Sequence, residues 1–233
     1  MMATGGWKRW SDLTDIVRHG QDRIRGTAFD INEREQEAFI GAMHAIANEM
    51  APRIVAAIKP NRARKLLDIG GGSGAYTQAF LEASPGLTAT IFDLPSVINM
   101  ARQRLANSGL LDRIQLVAGD FYSDELPTGH DLALLSAIIH QNSLEQNIEL
   151  YRKIFRALQP EGRLVIRDHV MSSDHTQPTS GAFFAVNMLV GTAGGGTYSF
   201  EEIKSSLESA GFIKINLIQP DEQMNGLVEG FKP

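Results

Sequence analysis

An α/β fold with a doubly covered parallel sheet is predicted for residues 63–233 by three observations. From Lys65 onward, short apolar runs alternate with longer amphipathic segments, the pattern of strands joined by crossover helices. The first run opens into a glycine loop, Gly70-Gly-Gly-Ser-Gly74, where backbone without Cβ atoms adopts left-handed conformations and approaches a ligand closely. An acid stands at the end of each of three successive runs, Asp68, Asp93 and Asp120. The architecture expected is a Rossmann-like, seven-stranded, mostly parallel sheet with helices on both faces and an antiparallel last strand. A short helical segment over residues 1–62 precedes it.

The elements follow in order. Residues 1–32 are polar and weakly patterned, with Gly5, Gly6, Gly20, Gly26 and both tryptophans, Trp7 and Trp10; the two indoles pack either on a partner subunit or on the chain's own core. From Asn32, Phe39, Met43, Ile46, Met50, Ile54 and Ile58 recur at spacings of three and four, which predicts an amphipathic helix. Pro52 is expected to kink or split it, and Pro60 to end it. Strand one is Lys65–Ile69, followed by a helix over 75–84 and a turn at Pro85-Gly86. Strand two is Thr88–Phe92, and Ser96 is expected to cap a helix reaching Asn107. Strand three is Ile114–Ala118 and strand four Asp131–Ala137. A helix over Leu144–Leu158 is stopped by Pro160 and Gly162, and strand five is Arg163–Asp168. After a polar loop at 172–180 come an apolar helix at Phe183–Val190, a turn at Gly194-Gly195-Gly196 and a helix over Phe200–Ala210. Phe212–Ile218 and Leu227–Phe231 form a closing antiparallel pair.

Composition narrows the function classes. A hydrophobic content of 43% with 21% charged residues suits a chain that folds on its own core. The net charge of −5 argues against a nucleic-acid partner, which calls for clustered Lys and Arg. The chain has no cysteine, which removes disulfides, thiolate metal sites and a thiol nucleophile and fits a reducing compartment. No apolar run reaches about 18 residues, and no targeting pattern is recognised at the start. The expectation is a cytoplasmic protein with no membrane segment.

In open α/β sheets, ligands bind beyond the carboxyl ends of the strands where strand order reverses. The helix behind the glycine loop offers free N–H groups and a partial positive charge suited to a carboxylate. Asp68 suits an ammonium group. A ligand bearing both is an amino acid, and S-adenosyl-L-methionine is an amino acid joined to a nucleoside. Asp93 is placed to accept from both ribose hydroxyls, Asp120 from an adenine amino group, and Leu94 and Phe121 to cover the two ring faces. Ser136, at the end of strand four, completes the cofactor set with Gly70, Gly72 and Gly74. Gly70, Gly72 and Ala75 also satisfy a looser dinucleotide fingerprint, but Gly74 and Asp68 favour a ligand with an amino-acid end over a pyrophosphate.

Three blocks, Asp68-Ile-Gly-Gly-Gly-Ser-Gly74, Phe92-Asp-Leu-Pro-Ser-Val97 and Gly119-Asp-Phe121, resemble the signatures of class I S-adenosylmethionine-dependent methyltransferases. Within that class they are similar to the O-methyltransferase branch of caffeate, flavonoid, acetylserotonin and bacterial polyketide enzymes. The resemblance continues through Ala137-Ile-Ile-His140, Gly162–Met171, Asn187-Met-Leu-Val-Gly-Thr192 and Gly195–Gly211, and so covers nearly all of residues 36–233. It implies a small-molecule substrate and an N-terminal helical region that closes the site and mediates a homodimer. That region is longer in the branch than residues 1–62 allow.

The same resemblance implies His140 as catalytic base, although His140-Gln-Asn142 stands where the branch has His-Asp-Trp. Asp168 matches an acid that orients the base. A second acid of the branch has no match near Thr197, with Glu201 and Glu202 further on. The plainer reading is that His140 caps strand four and shapes the pocket. Phe184, Asn187 and Met188 are candidates for substrate contact, against the ordinary reading of an apolar helical stripe as core. His169 is expected to point away from Asp168 by strand alternation, and His44 to lie at the surface or at a subunit contact. No metal is expected, since the histidines and acids fit no ligand spacing. The readings left open are an O-methyltransferase for a small aromatic or polyketide-like hydroxyl compound, an N- or C-methyltransferase, and a non-catalytic cofactor-binding partner.

Overall fold

The computed structural model describes residues 10–20, 33–60 and 62–233, with 33–37 described by backbone alone. Trp7, Asn32, Gly5, Gly6 and Gly26 lie outside the described residues. The helices are α1 (Leu13–His19), α2 (Glu33–Ile58), α3 (Ala75–Ala83), α4 (Pro95–Leu105), α5 (Leu144–Ala157), α6 (Thr179–Gly191) and α7 (Phe200–Ser209). The strands are β1 (Lys65–Ile69), β2 (Thr88–Asp93), β3 (Ile114–Ala118), β4 (His130–Ser136), β5 (Leu158–Asp168), β6 (Val170–Met171), β7 (Tyr198–Ser199), β8 (Ile213–Gln219) and β9 (Gly226–Phe231).

Seven strands form one sheet in the order β3-β2-β1-β4-β5-β9-β8. Pairing is parallel from β3 through β5, and β9 runs antiparallel to both of its neighbours. Strand order reverses between β1 and β4, which opens a crevice at their carboxyl ends.

Alternation along the strands divides the core into two layers. Leu67, Ile69, Ala133, Leu135, Leu164 and Ile166 face α5 and α7, where Tyr151, Ile154, Ile203 and Leu207 are buried. Leu66, Leu132, Leu134 and Val165 face α2 and α3 through Ile54, Val55, Ile58, Phe80 and Leu81. Each buried Leu, Ile, Val or Phe among them contributes about 1.5–3 kcal/mol. That burial explains why α2 continues through Pro52 as one helix, where a kink or a split was expected: Ala51, Ile54 and Val55 around the proline are all buried.

Other differences are local. α4 starts at Pro95 with Leu94 as its cap, so Ser96 lies inside the first turn; proline's fixed φ suits that position. β5 extends back to Leu158, with a bulge in its pairing to β4 between His130 and Leu132. The two-stranded β6–β7 pair is too short to leave a sequence pattern. α1 lies against α6. Among the described residues no helix is long and apolar enough to cross a membrane.

Candidate active site

The glycine loop turns sharply at the end of β1. Gly70, Gly72 and Gly74 all have left-handed φ, at 66°, 57° and 81°. A Cβ on Gly70 would stand 2.7 Å from Ile138 Cδ1, and one on Gly74 2.8 Å from Leu105 Cδ1. A Cβ on Gly72 would meet nothing within 4 Å. The loop is therefore clamped at both ends and open at its middle.

The three acids arrive on the same edge with different partners. Asp68 is buried at the end of β1 and accepts the Thr77 hydroxyl at 2.6 Å. Burial pushes its carboxyl up to about 6, with nearby Asp93 adding to the rise and Thr77 opposing it. Asp93 accepts the Gly72 N–H at 2.8 Å and its neighbour Leu94 N–H at 2.7 Å, one on each oxygen. Burial raises its pKa too, and those two N–H groups offset part of the rise. Leu94 beside it is exposed. Asp120 accepts the Tyr122 N–H at 2.9 Å and so shapes its own loop. Lys153 of α5 fastens that loop by donating to the carbonyls of Phe121, Tyr122 and Asp124 at 2.9, 3.0 and 2.8 Å. Phe121 stays partly buried, its Cε1 3.9 Å from the position of a Gly70 Cβ. Ser136 ends β4 and accepts Arg167 Nη1 at 3.3 Å.

His140 sits on a single 3-10 turn, Ile139–Gln141, just past β4. Its Nδ1 lies 2.9 Å from both oxygens of Asp168, at the end of β5. Burial alone would raise the Asp168 carboxyl, but the His140 ring, the His169 N–H and the Arg167 guanidinium together hold it below the usual carboxylate range. With Nδ1–H donated to Asp168, the lone pair of the neutral ring stands on Nε2, which no described side chain hydrogen-bonds. The His140 carbonyl accepts the Gly196 N–H at 2.9 Å. Thr197, which stands near the position of the branch's second acid, donates instead to the Gly181 carbonyl; it makes no hydrogen bond with His140.

Two further histidines have partners that the sequence does not indicate. The His169 ring does not leave the site: it contacts Phe184 at 5.2 Å between centroids, and His140 meets the same ring edge-on at 4.9 Å. His169 Nδ1 pairs with buried Asp221 at 2.6 Å, in the turn between β8 and β9. Asp221 left no signal in the sequence, because the pairing joins residues 52 positions apart. His44 of α2 is not a free surface group, since its Nδ1 lies 2.8 Å from Ser73 Oγ in the glycine loop. Its pKa is lowered, by burial first and by Arg104 second.

Of the expected substrate residues, only Phe184 reaches the histidines. Asn187 is exposed and Met188 is buried.

A sequence profile for the O-methyltransferase domain matches residues 10–213. The 3-hydroxy-5-methyl-1-naphthoate 3-O-methyltransferase of Streptomyces sahachiroi is 32% identical over 197 residues, which are 84% of this chain and 57% of that one. The L-tyrosine C(3)-methyltransferase of Streptomyces lavendulae is 30% identical, across 86% of this chain and 58% of its own. The chain thus spans less than two thirds of these curated relatives. The solved structure of PigF with SAH superposes with a TM-score of 0.84 at 28% identity, over 98% of this chain and 71% of that one. A profile match over so much of its length, joined to this sheet order, means that the chain belongs to the O-methyltransferase domain family.

Proposed function

We propose that this chain catalyses S-adenosyl-L-methionine-dependent methylation of a hydroxyl on a small aromatic or polyketide-like molecule, with His140 as general base. The observation that carries the reading is the His140–Asp168 pair at the crevice, with Nδ1 engaged at 2.9 Å and Nε2 without a side-chain partner among the described residues. Relatives that act on a naphthoate hydroxyl or hold SAH support it.

The residues present fit the donor. The middle of the glycine turn is open at Gly72, and the raised Asp68 carboxyl is a site short of a cation. Asp68 takes the ammonium group, Asp93 the ribose hydroxyls, Asp120 the adenine amino group, and Leu94 and Phe121 flank the base. Gly70, Gly72, Gly74 and Ser136 supply the rest of the wall. When bound, the donor supplies an electrophilic methyl group on a sulfonium that leaves as a neutral thioether.

The chain's own residues handle the proton. A phenol with a pKa near 10 is a weak nucleophile at neutral pH. His140 Nε2 accepts the hydroxyl proton as the oxygen forms its new bond to carbon, and Asp168 holds the tautomer and stabilises the imidazolium. Residues 63–233 carry this chemistry. Residues 1–62 act as a lid or homodimer contact, a role that α1 against α6 supports.

Calorimetric titration with S-adenosylhomocysteine, followed by methyl-transfer assays over phenols, amines and carbon acids, tests the reading. His140→Ala should keep donor binding and lose about 10²–10⁴-fold in turnover. Full turnover in that variant removes the base from the mechanism. Products methylated only on nitrogen or carbon select the second reading, for which the tyrosine C-methyltransferase is the precedent.

A further inference from the structure

The donor's charged ends need two opposite partners; Asp68 faces the ammonium group, but the carboxylate has so far only the backbone N–H groups at the α3 N-terminus and no charged side chain. On the face of the sheet toward α2 and α3 lies an arginine with no acid in contact among the described residues; its charge reaches Asp168 only at longer range. Arg167 is 6% exposed. Its contacts are poor for a guanidinium: the Ser136 hydroxyl at 3.3 Å, the Met50 sulfur at 3.7 Å, and the Tyr76 ring at 5.6 Å from Cζ. Its Nε is buried with no hydrogen-bond partner. Among the described residues no carboxylate forms an ion pair with it. Arg163, four residues earlier on the same face, has an equally unpartnered Nε but differs in its ion pair: it meets Glu229 at 2.7 Å and donates to the Ile58 carbonyl at 2.8 Å.

A second buried polar group is orphaned beside it. Tyr76, in the first turn of α3, is 8% exposed, and its hydroxyl makes no hydrogen bond of ordinary length. Ser136 is common to both neighbourhoods. It pairs in register with Arg167 across β4 and β5, and its hydroxyl, with Arg167, opposes the rise that burial imposes on the Tyr76 phenol. The Asp68 carboxylate is also close enough to act on that phenol. A buried guanidinium without a counter-ion is costly, and an unpaired buried hydroxyl adds to the cost. Both costs fall if an anion enters between them. The α3 N-terminus contributes field of the same sign.

We propose that Arg167 and Tyr76, with Ser136 beside them, form the subsite for the carboxylate of the donor's amino-acid end, opposite Asp68 for its ammonium group. This rests on the donor reading above. The pair of subsites makes the site a reader of the zwitterion, so that a donor analogue lacking the carboxylate is rejected even with its nucleoside intact.

Three probes separate the possibilities by calorimetry: S-adenosylhomocysteine, its decarboxylated analogue and 5′-methylthioadenosine. The wild-type protein should bind the first at least about tenfold more tightly than the second, as expected for a charge-assisted hydrogen bond. In Arg167→Met that ratio should fall to within about threefold, with the decarboxylated analogue bound as before. Tyr76→Phe, which removes one oxygen, should lower the ratio in part and decides the matter if Arg167→Met does not fold. A ratio that survives in the variants, or is absent in the wild type while 5′-methylthioadenosine still binds, overturns this subsite alone. Failure of all three to bind overturns the donor reading and the subsite with it.

Discussion

Asp68 and Asp168 are equally buried, each 1% exposed, yet their carboxyls shift in opposite directions. Burial carries Asp68 up to about 6, against the help of Thr77 and with a further push from Asp93. Burial also acts to raise Asp168, but His140, the His169 N–H and Arg167 together overcome it. One carboxylate already has its cation within the protein, and the other lacks one. That difference matches the roles proposed for them, positioning a base and receiving an ammonium group.

Asp168→Asn should lower turnover by about 10²–10⁴-fold, because an amide cannot stabilise the imidazolium that forms on His140. Donor affinity measured by calorimetry should change less than threefold. Stability gives an independent check. A depressed folded-state pKa stabilises the fold above the ordinary carboxylate pKa near 4, and that contribution is lost as pH falls through the folded value. The variant should therefore unfold at lower urea than the wild type at pH 7. The gap should narrow toward pH 3.

The glycine loop separates binding from folding at two positions. Gly72→Ala places a methyl group in open space at φ 57°, so its stability cost is limited to about 1–2 kcal/mol of left-handed strain. The methyl occupies the open side of the turn, and donor affinity should fall more than tenfold. Gly74→Ala adds the clash with Leu105 to the same strain. It should lose more than 2 kcal/mol of stability in urea melts.

Much of the fold and half of the site are legible in the chain. β1, β3 and the β8–β9 pair follow from apolar runs bounded by Gly, Pro and Asp, since period and punctuation are local properties. The acids at the strand ends, and His140 with Asp168, are legible because parallel topology brings strand ends together. What is not legible depends on contacts distant in sequence. Asp221 meets His169 only through the β8–β9 turn, and Lys153 reaches the 121–124 carbonyls from across the α5 face. Arg167 reads as one more strand residue until its surroundings show that no described carboxylate is in contact with it. Strand alternation sets His169 apart from Asp168, but it gives no sign that the ring borders Phe184 and pairs with Asp221, since both partners lie far along the chain.

Lys153→Met should loosen the adenine-side loop without touching the reacting centre. Its ammonium group binds three carbonyls of one turn, which a thioether cannot replace. Donor affinity should weaken about five- to tenfold, on the order of one net hydrogen bond to a charged group. The kcat at saturating donor should stay within twofold. An unchanged dissociation constant would show that the loop holds its shape through Asp120 and Asp124 alone.

Asp68→Asn should make the ligand-free protein more stable and unable to bind its donor. Asp68 holds its proton more tightly in the folded chain, at about 6 against an ordinary 3.8. A raised carboxyl pKa leaves stability intact below the unfolded value and removes it as pH climbs from about 4 to about 6. Two pKa units correspond to about 3 kcal/mol. Asparagine is never charged, and its amide oxygen still accepts the Thr77 hydroxyl. The variant should therefore match the wild type near pH 4 and exceed it at pH 7.5, by roughly 5–10 °C in melting temperature. Wild-type affinity for S-adenosylhomocysteine should rise between pH 5 and 7 as Asp68 ionises, and the variant should show no such rise. Equal melting temperatures at pH 7.5 would mean that the buried carboxylate is already paired, and the ammonium group would then have to be held elsewhere.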